Sequence, residues 1–405
     1  MKSQKDLGRS NLTALYAYTG ASKLWFDGAL WLIYWQHRGL SFFQIGLLEA
    51  ILHVTCLMTD VPLGIFADRV GWKVALLLSS LLGVVYSGVS LFAHGFWLAA
   101  LAFATRGIQI TLANGSDSSI AYESAAWAGL RDNYLKISGR LFAVALISMG
   151  AAEMIGGSLA SWSWPYVYLA FMAANVAAFI TVLFIREPRN KRQNNAQVSD
   201  TNDDTKRHSA VTILRHSLHF AKESRTFTKW ITLSAILSGF VATFAFYGQS
   251  LLLHNGWSLV GIGILSATEN GLGAISSLSA SKVVSRFGIF WSMRLASLLA
   301  IAGMALFAWL PGGIILALGY LFQSAAGNLT DPIVDQELNR IVPSSQRATL
   351  LSFNSTAFSL FMIIVFPLFG WLAQTIGLVH AAYVGSVVGG IAIFVAMRWG
   401  ISDLR

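Results

Sequence analysis

Charged residues are scarce in this chain, and cysteine is almost absent. Asp, Glu, Lys and Arg together make up 12% of the 405 residues, whereas 55% are hydrophobic. Soluble proteins carry about 25% charged residues, so the chain has too few charges to cover the surface of a soluble domain. The single cysteine, Cys56, permits no internal disulfide. These deficits exclude a soluble enzyme, a disordered chain and a secreted disulfide-rich scaffold.

Motifs that carry enzyme chemistry are also missing. The sequence has no Gly-x-x-x-x-Gly-Lys-Ser/Thr loop, the phosphate-binding loop of many ATPases. It has no His-Glu-x-x-His pair and no Gly-x-Ser-x-Gly turn, which mark zinc hydrolases and serine hydrolases. We therefore expect no enzymatic activity, no metal and no cofactor, and an energy source other than ATP.

Long apolar segments dominate what is present. A bilayer-spanning helix needs about 20 apolar residues, and the chain contains twelve such segments. They predict an all-α integral membrane protein with twelve transmembrane helices, divided by the one long polar segment into two six-helix bundles. The predicted domains are an N-terminal bundle (1–186), a cytoplasmic linker (187–227) and a C-terminal bundle (228–405). The segments fall at about 13–36, 42–67, 74–94, 96–120, 140–162, 165–186, 228–252, 258–281, 290–310, 312–336, 348–374 and 378–399.

The basic residues predict the topology. All but three of the 28 Lys and Arg residues fall in or next to the N-terminus, the even-to-odd loops or the C-terminus. Cytoplasmic loops retain Lys and Arg, so both termini are predicted to be cytoplasmic. The net charge of +9 then reflects topology, and we expect a lipid bilayer rather than nucleic acid as the partner of these charges.

The two halves contain a weak internal repeat. Asn114-Gly-Ser-Asp117 in the fourth span recurs 214 residues later as Asn328-Leu-Thr-Asp331 in the tenth. The loop sequence Asp68-Arg-Val-Gly71 is matched, less closely, by Ser285-Arg-Phe-Gly288 after the eighth span. Both matches occupy equivalent positions, and such repeats are common in secondary transporters.

These loops carry a family resemblance over essentially the whole chain. The sequence from Asp60 to Lys73, which includes Gly64, Asp68, Arg69 and Gly71, resembles the loop 2–3 signature of the major facilitator superfamily. Arg106-Gly107 is similar to its second motif. The glycine-rich run with Gly150, Gly156 and Gly157 resembles the antiporter motif but lacks its usual proline, and Arg347-Ala-Thr-Leu-Leu-Ser352 resembles the bacterial drug-efflux branch. The resemblance implies two pseudo-symmetric bundles around a central cavity, alternating access and a place in the cytoplasmic (inner) membrane of a bacterium.

Ionisable side chains inside the predicted spans are the candidates for coupling. A charge at mid-bilayer costs about 2.5–3.5 kcal/mol, so each needs a partner, water or a function. Asp27 lies one helical turn after Lys23, which allows the two to pair or allows Asp27 to bind a proton or a cation. Arg106 and Asp117 share a face of the fourth span. Glu153 in the fifth span and Glu269 in the eighth complete the predicted set for proton coupling or substrate binding.

A second group is predicted to gate the cytoplasmic side. Asp68 is expected to meet the start of the eleventh span near Arg347, where a helix N-terminus favours an anion. Arg69 is expected to meet Glu123 at the inner end of the fourth span, with Gly64, Gly71 and Lys73 completing the motif.

Further contacts are expected elsewhere in the spans. We expect Glu49 to contact His53, and Asp331 and Asp335 to need water, Arg340 or a cation to relieve their repulsion. Gly150, Gly156 and Gly157 are interpreted as helix-packing positions. A set of aromatic and amide side chains is expected either to line a cavity or to fill the core: Tyr16, Tyr18, Trp25, Trp31, Phe244, Tyr247 and Gln249.

The sequence therefore predicts a secondary active transporter, expected to be monomeric. Within that class, the resemblance favours proton-coupled efflux of small amphipathic or cationic compounds, with a proton gradient as the energy source. Two alternatives share the fold: a proton-coupled importer of a small metabolite, and a lipid flippase. Substrate and protons are the expected small partners.

Overall fold

A computed structural model describes residues 3–188, 223–309, 312–342 and 347–400. Its regular structure in those ranges is helical throughout. Most of the predicted linker and the last five residues lie outside this description. The α-helices in chain order are α1 (Gln4–Ser22), α2 (Trp31–His37), α3 (Phe42–Val70), α4 (Trp72–Phe92), α5 (Phe96–Ala113), α6 (Ser116–Trp127), α7 (Tyr134–Trp162), α8 (Trp164–Leu183), α9 (Arg225–His254), α10 (Leu259–Trp309), α11 (Gly313–Ile341), α12 (Arg347–Ile376) and α13 (Leu378–Gly400).

These helices make twelve membrane crossings, as predicted. In the described ranges, nine helices are long and apolar enough to span a bilayer when α5 and α6 are taken as one. One of the nine is α10, whose 51 residues would extend about 75 Å, more than twice a bilayer core of about 30 Å. It breaks at Gly288, whose φ of 76° is non-helical, and so supplies two crossings. The α1–α2 pair and α11 supply the remaining two.

The first crossing differs from the prediction of one continuous helix over 13–36. Helix α1 starts earlier, at Gln4, and ends at Ser22, and α2 resumes only at Trp31. Hydropathy does not report the break because residues 24–26 are apolar. Tight turns replace the helical bonds there: the Gly28 amide donates to the Trp25 carbonyl at 3.0 Å, and the Leu30 amide donates to the Asp27 carbonyl at 2.8 Å. We call residues 23–30 the α1–α2 break.

The fourth crossing is also broken. Helix α5 ends before Asn114, and α6 begins after Gly115, whose φ is 79°. The predicted repeat is therefore structurally unequal, because Asn328 lies inside the uninterrupted helix α11. The loop copies agree better. Gly71 (φ 122°) and Gly288 (φ 76°) both adopt left-handed backbone conformations, which favour glycine.

The two halves meet along two helix pairs and close at one end. Helix α3 packs against α12, and α7 packs against α10. At the predicted outer end, the Gln249 amide donates to the Gly28 carbonyl at 3.2 Å, and Ser250 donates to Gln36. The Tyr247 hydroxyl also lies 3.3 Å from the Phe42 carbonyl. These contacts separate the central cavity from the predicted outer side.

Candidate functional site

The central cavity is formed mainly by the C-terminal half. It has a volume of about 620 Å³ and is lined by α9, the first arm of α10 (259–287), α11 and α12. Of the described residues of the N-terminal half, three contribute: Gly28, Met149 and Glu153. The cavity extends from Gln249 near the closed outer end to Asp335 near the opposite, predicted cytoplasmic end.

The lining is acidic. It contains four carboxylates and no lysine, arginine or histidine among the residues the structure describes. The four are Glu153, Glu269, Asp331 and Asp335. With no cationic side chain to neutralise them, they favour a bound cation or bound protons.

Glu153 lies where the two halves meet. It projects from α7, is only 6% exposed, and accepts a 2.6 Å hydrogen bond from the Asn270 amide of α10. Asn270 also donates to the Ser266 carbonyl at 3.0 Å, which holds it on its own helix. Gly28 lies beside the carboxylate, since a methyl group there would come 2.6 Å from the Glu153 Oε1. The α1–α2 break thus leaves room for Glu153.

Glu269 is one residue before Asn270 and faces the same cavity. Its carboxylate interacts electrostatically with the Tyr320 and Ser324 hydroxyls of α11, and its charge acts on Glu153. The Ser324 hydroxyl is 3.4 Å from the Glu269 carbonyl and 3.3 Å from the Asn328 amide. Glu153 and Glu269 form the upper acidic group of the cavity.

Asp331 and Asp335 form the lower acidic group. Both are exposed to the cavity, and the Ser238 hydroxyl of α9 donates to Asp331 at 3.4 Å. Arg340, one of the groups expected to relieve their repulsion, instead pairs with Glu337 at 2.6 Å. In the described part of the chain no basic side chain forms an ion pair with either aspartate.

Two amide oxygens of the lining have no donor in the described structure. Gln249 is 2% exposed, and its Oε1 has no hydrogen-bond partner. The Oδ1 of Asn354 on α12 is also without one. A buried acceptor without a partner costs about 1–3 kcal/mol, so both positions favour a ligand that donates hydrogen bonds.

Four predicted coupling residues lie outside this lining. Asp27, in the α1–α2 break, is 5% exposed and accepts a 2.7 Å hydrogen bond from the Tyr86 hydroxyl of α4. It does not pair with Lys23, because the break removes the helical spacing on which that pairing depends. Lys23 instead lies 5.3 Å from the Trp25 ring and interacts electrostatically with Asp117.

Arg106 is held inside the N-terminal half. It is 8% exposed, and its guanidinium lies 4.6 to 5.2 Å from the ring centres of Trp25, Tyr86 and Phe171. It also donates to Gln109 at 2.8 Å. Cation–π contacts of this kind are worth about 2 kcal/mol when desolvated. Together with Asp27 and Tyr86, these residues form a buried polar cluster in which each charge has partners.

The predicted gate residues contact the end of α8. The Glu187 carboxylate accepts from the Trp72 and Lys73 backbone amides at 3.3 and 2.9 Å and so caps the start of α4 next to Gly71. The Lys73 ammonium donates to the Leu183 carbonyl at 2.8 Å. This carboxylate at the predicted linker boundary is a partner that the motif alone did not indicate.

The other predicted gate contacts are only partly visible. The Trp72 indole donates to Asp68 at 3.2 Å. Arg69 and Glu123 form no ion pair in this conformation. Residues 343–346 and the Arg347 side chain lie outside the described part of the chain, so the contact expected between Asp68 and the start of α12 stays a prediction. Gly64 has open space around it.

Two of the three predicted packing glycines of α7 lie at close helix contacts. A methyl group on Gly156 would overlap the Phe26 carbonyl in the α1–α2 break, and one on Gly157 would come 2.5 Å from the Leu259 carbonyl of α10. Gly150 faces Ala267 at ordinary contact distance.

One expected pair of titratable groups lies where α3 packs against α12. The Glu49 carboxylate and His53 are 3.5 Å apart, as expected, and His53 reaches Ser359 of α12 at 3.2 Å. This histidine therefore joins α3 to α12 at a serine of the cavity lining.

Comparison with known proteins agrees with this architecture. The chain is 26% identical over 364 residues, 86% of this chain and 85% of the relative, to an uncharacterized MFS-type transporter, YxaM, of Bacillus subtilis (strain 168). Its fold is similar to that of the nucleoside transporter NupG, with a TM-score of 0.78, 14% identity and coverage of 97% and 98% of the two chains.

Two other solved structures share the fold. A bacterial homologue of the human lysosomal transporter Spinster has a TM-score of 0.72 at 15% identity, covering 100% of this chain and 99% of that one. A D-xylose–proton symporter has a TM-score of 0.68 at 18% identity, covering 96% of each. The profile of the Major Facilitator Superfamily matches residues 12–327. The chain therefore belongs to the Major Facilitator Superfamily and is a multi-pass membrane transporter.

Proposed function

We propose that this transporter exchanges small cationic or amphipathic compounds for protons and exports them from the cytoplasm. The observation that carries the proposal is the cavity lining, which has four carboxylates and no basic side chain among the described residues. A carboxylate in a membrane can be neutralised by a proton or by a bound cation, but not fully by both at once. Competition for the same acidic groups therefore couples the two ligands.

Glu153 is the group best placed to link this competition to movement of the halves. Its hydrogen bond from Asn270 joins α7 to α10, and the carboxylate also faces the cavity. A proton or cation on Glu153 changes the strength of that bond, because hydrogen bonds to an ionised acceptor are the stronger ones. Binding then biases the equilibrium between the two access states.

Proton release from everted vesicles tests the coupling. Vesicles with an acidic interior and a pH-quenched dye receive monoammonium compounds and matched neutral compounds of the same size. We expect proton release with cations in the wild type and a loss of at least tenfold in Glu153→Gln and Glu269→Gln. Asp132→Asn, which removes an exposed carboxylate outside the spans, is the matched control and keeps wild-type release.

The same vesicles distinguish export from import, the second candidate. In the export reaction protons leave when the compound is in the bath, on the former cytoplasmic side. In the import reaction they leave only when the compound is preloaded inside. No proton movement with any cation on either side, in vesicles that contain normal amounts of protein, contradicts the proposal.

A further inference from the structure

We propose that the preferred substrate is a linear dication, with one ammonium group at Glu153 and Glu269 and the other at Asp331 and Asp335. This inference rests on the proposed function and specifies the substrate class of the same cavity. The four carboxylates are not one cluster but two separated groups, and each group has its own helix contacts.

Helix α11 sets the separation of the two groups. Glu269 of the upper group lies beside Ser324, whose hydroxyl is 3.4 Å from the Glu269 carbonyl, and Asp331 of the lower group follows Ser324 by seven residues on α11. At 1.5 Å per residue this places the groups about 10 Å apart along the helix. One ammonium ion cannot contact both groups across that distance.

Helix α9 gives an independent measure of the same wall. Ser238 donates to Asp331 at the lower group. Gln249 bonds to Gly28, which adjoins Glu153, at the upper group. These α9 residues are eleven positions apart, or about 16 Å, a distance that ends at Gln249 and so exceeds the separation of about 10 Å between the two carboxylate groups. The lining residues between them on α9 are apolar: Val241, Ala242, Ala245 and Phe246. A polar group at each end and an apolar face of α9 between them suit two ammonium groups joined by a hydrocarbon chain.

Gln249 is the second observation that points to a donor at the upper end. It is 2% exposed and its Oε1 has no partner in the described structure. Exchanging its amide oxygen and nitrogen is not an alternative, because the nitrogen donates to the Gly28 carbonyl at 3.2 Å. An ammonium ion supplies three hydrogen-bond donors, enough for this oxygen and the neighbouring carboxylates.

Binding of a homologous series tests the separation. Linear α,ω-diammonium alkanes of four to twelve carbons, and monoammonium alkanes of the same lengths, are titrated calorimetrically into the full-length protein in detergent. We expect the diammonium compounds of intermediate length to bind about tenfold tighter than their monoammonium partners, since a contact with a charged group is worth about that factor or more. The shortest and longest pairs show a smaller ratio.

Substitution of the lower group tests its assignment. In the variant carrying both Asp331→Asn and Asp335→Asn, the ratio between diammonium and monoammonium affinity falls to about one at every length. Asp132→Asn, the exposed control, keeps the wild-type ratio. The length series in the wild type needs no variant, so the test holds even if the double substitution does not fold.

The outcomes separate this inference from the proposed function. A wild-type ratio of about one at all lengths overturns the dication proposal, and proton release driven by monoammonium compounds would then still support the proposed exchange. Absence of proton release with every amine overturns the exchange, whereas a length-dependent ratio of about ten would still support the two-group site.

Discussion

The hydrogen bond between Tyr86 and Asp27 offers a sharp test of the buried cluster in the N-terminal half. The change is Tyr86→Phe, which removes one hydroxyl and keeps the ring. Tyr168→Phe is a matched control in the same half. Both tyrosines are almost fully buried, at 3% and 0% exposure, and their rings lie 6.4 Å apart. The Tyr86 hydroxyl donates to Asp27 at 2.7 Å, whereas the Tyr168 hydroxyl has no partner in the described structure.

The expected effects differ in size and in sign. Loss of a hydrogen bond to a charged group costs about 1.5–3 kcal/mol, and Asp27 would keep its burial penalty. Tyr86→Phe should therefore lower the free energy of unfolding by about that amount. Tyr168→Phe removes a buried hydroxyl that makes no bond, so its effect should lie between no change and a gain of about 1 kcal/mol.

Unfolding curves in mild detergent measure both values. Adding Asp27→Asn completes a double-mutant cycle with Tyr86→Phe, and a coupling free energy of about 1 kcal/mol or more is expected for a pair in direct contact. Equal destabilisation by Tyr86→Phe and Tyr168→Phe, or a coupling energy near zero, would refute the assignment of this hydrogen bond. The Tyr86–Asp27 pair would then make no specific contribution to the stability of the N-terminal half.

Three further predictions, two of them with a control substitution, concern other contacts. Gly156→Ala should destabilise the protein by about 1–3 kcal/mol because the new methyl group overlaps a backbone carbonyl. Gly139 lies in the same helix with open space around it, so Gly139→Ala should be neutral or stabilising. Similar melting temperatures for the two variants would contradict this prediction. Glu187→Ala should cost about 0.5–2 kcal/mol by uncapping α4, and Glu187→Gln, which keeps an oxygen acceptor, should cost less. Asp68→Asn should express normally but transport slowly, and wild-type turnover in that variant would contradict the proposed gate.

The sequence predicts the crossings well because bilayer thickness sets the length of each apolar segment. It does not predict the α1–α2 break, since Trp25 and Phe26 are as apolar as any helical residue. What determines the break is the supply of local bonds for the freed backbone groups. The Trp25 indole, for example, donates to the Ser22 carbonyl at 3.1 Å. No average over a segment contains that information.

The sequence predicts the candidate site only in part, because contacts between helices cannot be read from one segment. The free-energy cost of placing a charged side chain in the membrane makes four residues equally good candidates for a function: Glu153, Glu269, Asp27 and Arg106. Only the packing of neighbouring helices decides which of them face a cavity and which find partners within one bundle. Tyr86, the partner of Asp27, comes from a different helix, and no spacing in the sequence relates the two.

The division of polar groups between the halves limits where coupling can act. In the N-terminal half the charges near Asp27 are enclosed and have partners, while in the C-terminal half the acceptors face an open cavity. Two hydrogen bonds connect these regions near the closed end, from Asn270 to Glu153 and from Gln249 to Gly28. Gly28 directly follows Asp27 in the α1–α2 break, so any opening of the outer end must separate Gln249 from the segment that carries Asp27. A ligand that donates to Glu153 competes with its bond from Asn270, and the free energy of binding is thereby coupled to opening.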